Sequence, residues 1–250
     1  MSATPTGEAT LAEICVVACA EAWRGDGEIL AGPMGLIPSL GARLARATFA
    51  PELMLTDGVA SIVDTDGHVE AWMPYRNVFD TVWGGRRHVM MGASQLDRHG
   101  NQNISCIGPH ERPGTMLIGA RGAPGNTINH ATSYWIPRHD RRVFVTDVDF
   151  VCGVGVDRAA ALGISGRFHS LRRVITNLGV FGFRTSGMYV ISLHPGVTID
   201  MVSERTGFPV EMGAGEMDAV ATTRLPTAEE LNLLRTVLDP EGRSAAELPA

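Results

Sequence analysis

The sequence predicts an α/β fold, and three observations lead to that prediction. The chain has 250 residues, of which 44% are hydrophobic and 19% charged, so it can bury a sizeable core. Short apolar runs typical of buried strands alternate with segments of helical periodicity. Glycine-rich turns follow several of those runs. Because no fixed-period repeat and no clear linker divides the chain, we interpret residues 1–250 as one domain.

The predicted elements alternate between helix and strand along the chain. In order, they are helix 10–23, strand 28–31, helix 39–49, strand 53–55, strand 88–91, strand 104–107, a short helix from about 126, strands 143–145, 173–176 and 188–193, and helices 198–206 and 227–237. Apolar residues at helical spacing define the first helix, and Ser39 can cap the second, which Pro51 stops. The strands are short apolar runs, several of them ending in turns that contain glycine, asparagine or aspartate. The last helix opens with a capping box of Thr227 and Glu230.

Composition and charge exclude several functions. All 21 lysine-or-arginine positions are arginine, so the chain has no lysine for Schiff-base catalysis or for a P-loop. The formal net charge is −6 and no basic stripe is visible, which argues against a nucleic-acid partner. The longest apolar run near the start, residues 14–20, is too short and too closely flanked by glutamates for a signal or membrane helix.

The four cysteines are interpreted as reduced thiols. Cys15 and Cys19 stand four residues apart on a helical pattern, as small core residues do; the others are Cys106 and Cys152. A chain of this size does not need disulfides, and its start does not resemble a secretory signal. We therefore expect a cytoplasmic protein.

Standard catalytic motifs do not occur in the sequence. It contains neither a Gly-x-Ser-x-Gly elbow nor a complete dinucleotide fingerprint, and its eight histidines form no His-Glu-x-x-His pattern, so we expect no metal site. Asp57 remains as a candidate, because it ends a predicted strand, where α/β proteins bind ligands and where a carboxylate can act as nucleophile or base. An aspartate before a glycine is also typical of a plain turn, and spacing alone favours the turn.

Glycine-rich loops form a second candidate site. Residues 92–95 and 119–126 are the relevant segments. Backbone N–H groups in such loops can bind an oxyanion or a phosphate without lysine. Tight-turn geometry alone also favours glycine, and periodicity does not decide between the two interpretations.

Three segments of the chain carry a family resemblance. Residues 91–103 read Met-Gly-Ala-Ser-Gln-Leu-Asp-Arg-His-Gly-Asn-Gln-Asn, residues 174–181 read Val-Ile-Thr-Asn-Leu-Gly-Val-Phe, and residues 193–198 read Leu-His-Pro-Gly-Val-Thr. They resemble the β subunits of class I coenzyme A transferases, the family that contains glutaconate CoA-transferase. In that family the segment corresponding to residues 91–103 has the pattern Gly-Ala-x-Gln-Val-Asp-x-x-Gly-Asn-x-Asn. Matches run in the right order from about residue 28 to 240.

The resemblance implies the CoA-transferase fold, an open mixed or parallel sheet flanked by helices. In that family a β-subunit glutamate at a strand end, followed by glycine, attacks the acyl-CoA and forms a glutamyl-CoA thioester. Asp57 stands at that place here and is one methylene shorter, and the aspartate of the family's second glycine loop is also replaced. A misplacement near 1 Å costs on the order of a hundredfold in rate. With these departures the chain is similar to a subgroup, the hydrolases that open the last ring in actinobacterial steroid breakdown.

For that subgroup the implied reaction is hydrolytic, retro-Claisen cleavage of a cyclic β-keto acyl-CoA. Water adds to the ring ketone, and the carbon–carbon bond breaks as its electrons pass into a thioester enolate. The reaction needs a carboxylate base and N–H donors for the enolate oxygen. The resemblance implies an α2β2 assembly in which the α subunit supplies the base and Asp57 is auxiliary or structural. Coenzyme A enters as part of the substrate, and no other cofactor is expected.

The predicted site combines one carboxylate with two loops. Asp57 is the candidate catalytic residue, and Arg121 could pair with a substrate carboxylate or a coenzyme A phosphate or could lie at the surface. The residues expected to bind substrate or coenzyme A are Gly92, Ala93, Ser94, Gln95, Arg121, Gly122, Ala123, Gly125 and Asn126. Two other functions stay open. One is a true acyl-CoA:carboxylate CoA-transferase with Asp57 as nucleophile, and the other is a non-catalytic scaffold subunit or sugar-phosphate-sensing regulator.

Overall fold

A ten-stranded sheet lies at the centre of the computed structural model, which describes residues 8–57, 61–74, 76–77, 80, 82–213 and 220–249. The strands of these residues are β1 (Leu30–Pro33), β2 (Met54–Thr56), β3 (Ser61–Val63), β4 (Val69–Trp72), β5 (Arg87–Met91), β6 (Gln95–Leu96), β7 (Gln102–Asn103), β8 (Cys106–Ile107), β9 (Thr115–Met116), β10 (Ala131–Ile136), β11 (Ser170–Thr176), β12 (Gly179–Arg184), β13 (Gly187–Leu193) and β14 (Ala221–Thr222). The helices are α1 (Leu11–Glu21), α2 (Leu36–Thr48), α3 (Ala123–Asn129), α4 (Val156–Ala161), α5 (Ile199–Glu204) and α6 (Ala228–Leu233). Further helical segments are a π-helical turn (Leu234–Leu238) and two 3-10 turns (Gly163–Gly166 and Arg243–Glu247).

The sheet is parallel at its centre, antiparallel strands flank the centre, and the edge strand β14 pairs in parallel with β13. Its order is β14-β13-β12-β11-β10-β5-β1-β2-β3-β4, while β6 pairs with β7 and β8 with β9 outside it. The strands β11, β10, β5, β1 and β2 pair in parallel, and antiparallel strands follow them on each side. This confirms the predicted α/β class with an open mixed sheet. That residues 1–250 form one domain stays a prediction.

Side chains of the central strands alternate between the two faces of the sheet. On β5, Met90 joins the core cluster formed with α1 and α2, whereas Val89 and Met91 join the cluster on the opposite face. On β10, Trp135 and Tyr134 divide in the same way. Because both faces are covered, the central strands read as continuous buried runs.

Helix α1 is buried more completely than an amphipathic pattern predicts. Thr10 forms a capping box with Glu13, and every residue from 12 to 20 except Glu13 is buried. Close packing on α2 explains this burial, because a Cβ at Gly41 would lie 2.7 Å from the Cβ of Cys19. Cys19 is therefore a small core residue, as predicted, and burial raises the pKa of its thiol. The other three cysteines are also buried free thiols.

The start of α2 differs from the prediction because its cap comes from a distant segment. The helix begins at Leu36 and not at Ser39, whose hydroxyl donates to the carbonyl of Gly35 inside the first turn. The carboxylate of Glu247 accepts hydrogen bonds from the backbone N–H groups of Leu36 and Ile37, at 2.6 and 3.0 Å. A carboxylate at a helix start satisfies free N–H donors and interacts favourably with the helix dipole. This cap lies about 210 residues away in the chain, so local pattern could not reveal it.

Two strand predictions were also inaccurate. Strand β1 begins two residues later than predicted, so Gly32 and Pro33 belong to the strand and not to a turn. Residues 143–145 are no strand, because Phe144 forms only an isolated bridge with Leu96 and stacks on His139 with ring centroids 3.8 Å apart. A three-residue apolar run cannot distinguish a strand from a buried turn. Strand β10, in which polar residues mix with aromatic ones, was not predicted, and neither were β3, β4 and β12.

Candidate active site

An open cleft of about 910 Å³ lies at the carboxyl edge of the parallel strands. Strands β1, β2 and β5 lead into it, since Met34, Asp57 and Gly92 each follow the end of one of them. Parallel strands end at the same edge of a sheet, which brings these positions together. The cleft is lined by Met34, Gly35, Asp57, Met91, Gly92, Ala93, Ser94, Gln102, Ile104, Ile118, Arg121, Gly122, Ala123 and Asn126. The lining therefore includes all the predicted site residues except Gln95 and Gly125.

Asp57 follows β2, is hydrogen-bonded to Ser61 at the start of β3, and borders the cleft. Its backbone N–H donates to the carbonyl of Ser61 at 3.0 Å, and its Oδ1 accepts from the Ser61 N–H at 3.0 Å. These bonds close the connection between β2 and β3. The side chain is exposed and borders the cleft. Residues 58–60 lie outside the described residues, so the plain-turn interpretation stays a prediction, and Ser61 already engages one carboxylate oxygen of Asp57.

Arg121 lies in a strained backbone conformation at the cleft. Its φ of +48° makes it the one non-glycine residue with positive φ in the described part of the chain. A non-glycine residue in this region costs on the order of 1 kcal/mol or more, which the surrounding structure must offset. The guanidinium forms no hydrogen bond or ion pair with the described residues, and the residue is exposed. Arg121 can therefore offer its charge to an anionic group of a ligand.

The first glycine loop is held by one side-chain and one backbone hydrogen bond. Gln102 donates from Nε2 to the carbonyl of Gly92 at 2.5 Å, and the N–H of Ser94 donates to the carbonyl of Asn103 at 2.9 Å. Both partners belong to the segment that carries the family motif. The motif residues after the loop thus fix the backbone of Gly92 and Ser94 against the cleft.

Gln95 and Gly125 occupy supporting positions. The Oε1 of Gln95 accepts from Asn103 Nδ2 at 2.7 Å and from the N–H of Asp149 at 2.9 Å, and its Nε2 donates to Asp149 Oδ2 at 2.8 Å. All its hydrogen-bonding atoms are used inside the protein. Gly125 lies within α3, and its carbonyl accepts from Asn129 Nδ2 at 3.0 Å. Neither residue lines the cleft as the structure stands.

A buried polar cluster supports the turn after the first loop. Asn101 donates from Nδ2 to both Asp97 Oδ2 and Asp157 Oδ1, at 2.9 and 3.0 Å, and its Oδ1 accepts from the N–H of Gly155 at 2.8 Å. Burial raises the pKa of the Asp97 carboxyl, while hydrogen bonds from Asn101 and His99 act in the opposite direction. A side chain at Gly155 would meet the carbonyl of His99 at 2.6 Å, so the chain approaches closely there. The Gly-Asn part of the motif is thus a structural scaffold for the site.

Sequence reasoning missed six of the lining residues. Met34 and Gly35 follow β1, and the strand-end argument that selected Asp57 could have found them had β1 been placed correctly. Gln102 and Ile104 lie in or beside the family motif, which was the available signal. The only sequence signal at Met91 and Ile118 is their hydrophobicity, which does not distinguish a residue in a cleft from one in the core.

One group of possible metal ligands occurs in the described residues. Asp64, Asp66 and His68 lie within 4.8 Å of one another in the turn between β3 and β4. The Oδ1 of Asp64 accepts from the N–H groups of Asp66 and His68, at 2.9 and 2.8 Å, which accounts for the grouping by turn geometry. The cluster is not part of the cleft lining.

The fold, the strand-end cleft and the motif residues that support it are those expected of a coenzyme A transferase subunit. The family model for coenzyme A transferases matches residues 78–205. The chain belongs to the coenzyme A transferase family. It is 53% identical over 248 residues to the cholesterol ring-cleaving hydrolase IpdB subunit of Rhodococcus jostii, covering 96% of each chain. It is 32% identical over 232 residues to one of the subunits of the 3-oxoadipate CoA-transferase of Pseudomonas knackmussii, covering 84% of this chain and 85% of the relative.

Solved structures give the same assignment of fold. A chain of the crystal structure of Rhodococcus jostii IpdAB superposes with a TM-score of 0.91 at 50% identity, covering 98% of this chain and 100% of that chain. The predicted CoA-transferase fold is therefore confirmed. In the described part of the chain, no helix combines the length and apolar character needed to cross a bilayer.

Proposed function

We propose that this chain is the β subunit of a coenzyme A transferase-family hydrolase that opens a cyclic β-keto acyl-CoA in steroid ring degradation. The main observation behind the proposal is Asp57. Where the transferases place a glutamate nucleophile, this chain has a shorter carboxylate whose Oδ1 accepts a hydrogen bond from the Ser61 N–H. A nucleophile must approach its target to about 3–3.5 Å, and an oxygen held in a turn is poorly placed for that. The 53% identity to a ring-cleaving hydrolase subunit, against 32% to a transferase subunit, supports the same choice.

The chemistry is a hydrolysis in which no acyl group changes carrier. A water oxygen bonds to the ring ketone carbon while a base takes one water proton, and the carbon–carbon bond between that carbon and the thioester α-carbon then breaks. The bonding electrons form the thioester enolate, which is protonated at carbon, and the former ketone becomes a carboxylate. Coenzyme A stays attached throughout, and the scheme requires no additional cofactor. An α-type partner subunit supplies the base, since one carboxylate oxygen of Asp57 already accepts a hydrogen bond from the Ser61 N–H.

The cleft can accommodate such a substrate. Met34, Met91, Ile104 and Ile118 give it an apolar wall suited to a hydrocarbon ring. Arg121 supplies a cation that forms no bond with the described residues and fits a carboxylate or a coenzyme A phosphate. The free, buried thiols support the cytoplasm as the place of action, since disulfides are rare there.

Oxygen labelling tests the reaction directly. In ¹⁸O-labelled water, the complex of this chain with its partner is expected to place label in the new carboxylate and to leave the CoA thioester intact. The readout is mass spectrometry of the product, with unlabelled water as the control. Free coenzyme A as an obligatory first product, or strict dependence on a second carboxylic acid, would contradict the proposal.

The Asp57→Asn variant distinguishes the hydrolase from the transferase alternative. We expect it to fold and to retain measurable ring-opening activity, because the amide has the shape of the carboxylate it replaces and the base lies elsewhere. In the wild-type complex, borohydride trapping followed by mass spectrometry should find no aspartyl-CoA thioester at Asp57. Asp147→Asn, at another exposed aspartate, is the matched control.

Two outcomes would favour the transferase instead. One is coenzyme A found covalently attached at Asp57. The other is a loss of more than about ten-thousandfold in kcat, the size expected when a covalent nucleophile is removed.

A further inference from the structure

A buried arginine lies below the cleft. Arg87 begins β5, which runs between β1 and β10, and the residue is only 1% exposed. A guanidinium remains charged at every pH at which a protein folds, and its burial is unfavourable unless hydrogen bonds and nearby dipoles compensate. The groups that Arg87 contacts therefore bear on why the protein retains it.

The neighbouring strand is shaped to hold this guanidinium. A Cβ at Gly32 would lie 2.8 Å from Nη2 and 2.9 Å from Nε of Arg87, closer than any side chain allows. Only glycine at this place in β1 lets the guanidinium lie over the strand. Gly32 thus has a specific role in a strand where a glycine otherwise weakens pairing.

Arg87 determines how the Asn126 amide is turned. Its Nη1 donates to Asn126 Oδ1 at 2.9 Å. Because a guanidinium has only donors, the oxygen of the amide must face it, and the NH2 group must face the other way. That NH2 group lies 3.9 Å from the sulfur of Met91, a weak acceptor, and both Asn126 and Met91 line the cleft.

Three of the backbone donors near this place are already used. The N–H of Ser94 donates to Asn103, that of Ala123 to Ala120, and that of Asn126 to Gly122. An oxyanion in the cleft therefore cannot use these three groups without breaking existing bonds. The side-chain NH2 group of Asn126 borders the cleft although the residue is only 1% exposed, and it gives up only the weak contact with the Met91 sulfur when it donates to a ligand.

The charge of Arg87 adds to the effect of the amide. Burial, together with the Arg87 charge, lowers the pKa of His130 to about 4, so the imidazole is neutral near pH 7. Arg87 is then a permanent cation beside a neutral histidine. A fixed cation behind a hydrogen-bond donor stabilises negative charge that develops on a bound substrate.

We propose that Arg87 is a positioning residue, which holds the Asn126 amide so that its NH2 group donates to the enolate oxygen of the substrate. This inference rests on the proposed function and identifies a side-chain donor for it. Asn126 contacts the reacting atoms, and Arg87 acts through Asn126.

The test compares kcat and KM of variants assayed as the complex with the partner subunit. Asn126→Asp keeps the acceptor for Arg87 and removes the donor, so we expect kcat to fall by at least about a hundredfold, with KM changed by less than about threefold. Arg87→Lys keeps the charge but loses the planar fork, and we expect kcat to fall about tenfold to a hundredfold. In an Asn126→Ala background, Arg87→Lys should cost less than about threefold, because no amide remains to be oriented. Arg172→Lys, on the exposed side of β11, is the matched control and should leave kcat within about twofold.

The outcomes separate this inference from the proposed function. Two results would overturn the inference alone, provided that the wild-type complex opens the ring. One is an Asn126→Asp complex whose kcat lies within threefold of wild type. The other is a fall in kcat caused by Arg87→Lys that is as large in the Asn126→Ala background as in the wild type. A wild-type complex that does not open the ring would overturn both. If Arg87→Lys does not fold, Asn126→Asp decides, because this isosteric change keeps the acceptor for Arg87.

Discussion

Purified without its partner subunit, this chain is expected to lose ring-opening activity by at least about a hundredfold and up to about ten-thousandfold, the range that one general base contributes. The reason is that the described cleft has Asp57 as its carboxylate, and the β2–β3 turn already engages it. Ile118 lines the cleft and Met116 lies two residues before it in the chain, and both are 65% exposed. Exposed apolar side chains grouped in this way are typical of a surface that another chain covers.

The measurement is turnover of the acyl-CoA by the isolated chain, by the isolated partner and by the two together. Recombining the separately purified subunits should restore the activity of the co-purified complex, which also shows that the isolated chain was folded. Turnover by this chain alone at the rate of the complex would contradict the prediction. Light scattering of the complex gives its stoichiometry, for which we expect two copies of each subunit.

The Asn101→Asp variant is expected to destabilise the complex by about 3–5 kcal/mol, although it changes only an NH2 group to an oxygen. Nδ2 of Asn101 donates to the carboxylates of Asp97 and Asp157, so the variant would place a third carboxylate against two others in a largely buried cluster. Loss of two charge-assisted hydrogen bonds and repulsion from the buried carboxylate of Asp97 both act in this direction, and the exposed carboxylate of Asp157 adds a weaker repulsion. For a chain of this size, the loss corresponds to a fall in Tm on the order of 10 °C, or to loss of soluble protein.

Thermal unfolding of the purified complex measures this effect. Asn232→Asp makes the same chemical change at an exposed helical residue and should shift Tm by no more than about 2 °C. Acidification should partly restore the Asn101→Asp variant, because protonation of one carboxyl group reduces the repulsion and supplies a donor. A variant that melts like wild type would show that Asn101 does not support the turn.

Several elements could be predicted from the sequence because their determinants are local. The capping box of Thr227 with Glu230 and the apolar run of β5 are short-range patterns, and both occur where predicted. The placement of Asp57 at a strand end also follows from such a pattern, and so does its place in the cleft once the strands are parallel. The family motif at 91–103 identified the right region of the chain, since its spacing is a property of the sequence itself.

Tertiary contacts alone decided what the motif residues do. Gln95 is a predicted ligand-binding residue, but its hydrogen bonds to Asn103 and Asp149 make it part of the scaffold, and Asp149 lies 54 residues away. Hydrogen-bond partners of a side chain depend on which segments the fold brings within about 3 Å, and residue type does not specify them.

Residue type also does not specify the contacts that cap α2 and that orient Asn126 beside the cleft. The α2 cap from Glu247 and the contact of Arg87 with Asn126 each join segments that share no periodic pattern. Hydrophobic periodicity reports which face of an element is buried, and therefore determined the class of fold here. It carries no information about which polar atom a buried charge will meet, so the orientation of the cleft donors was decided only when the sheet brought β1, β5 and α3 together.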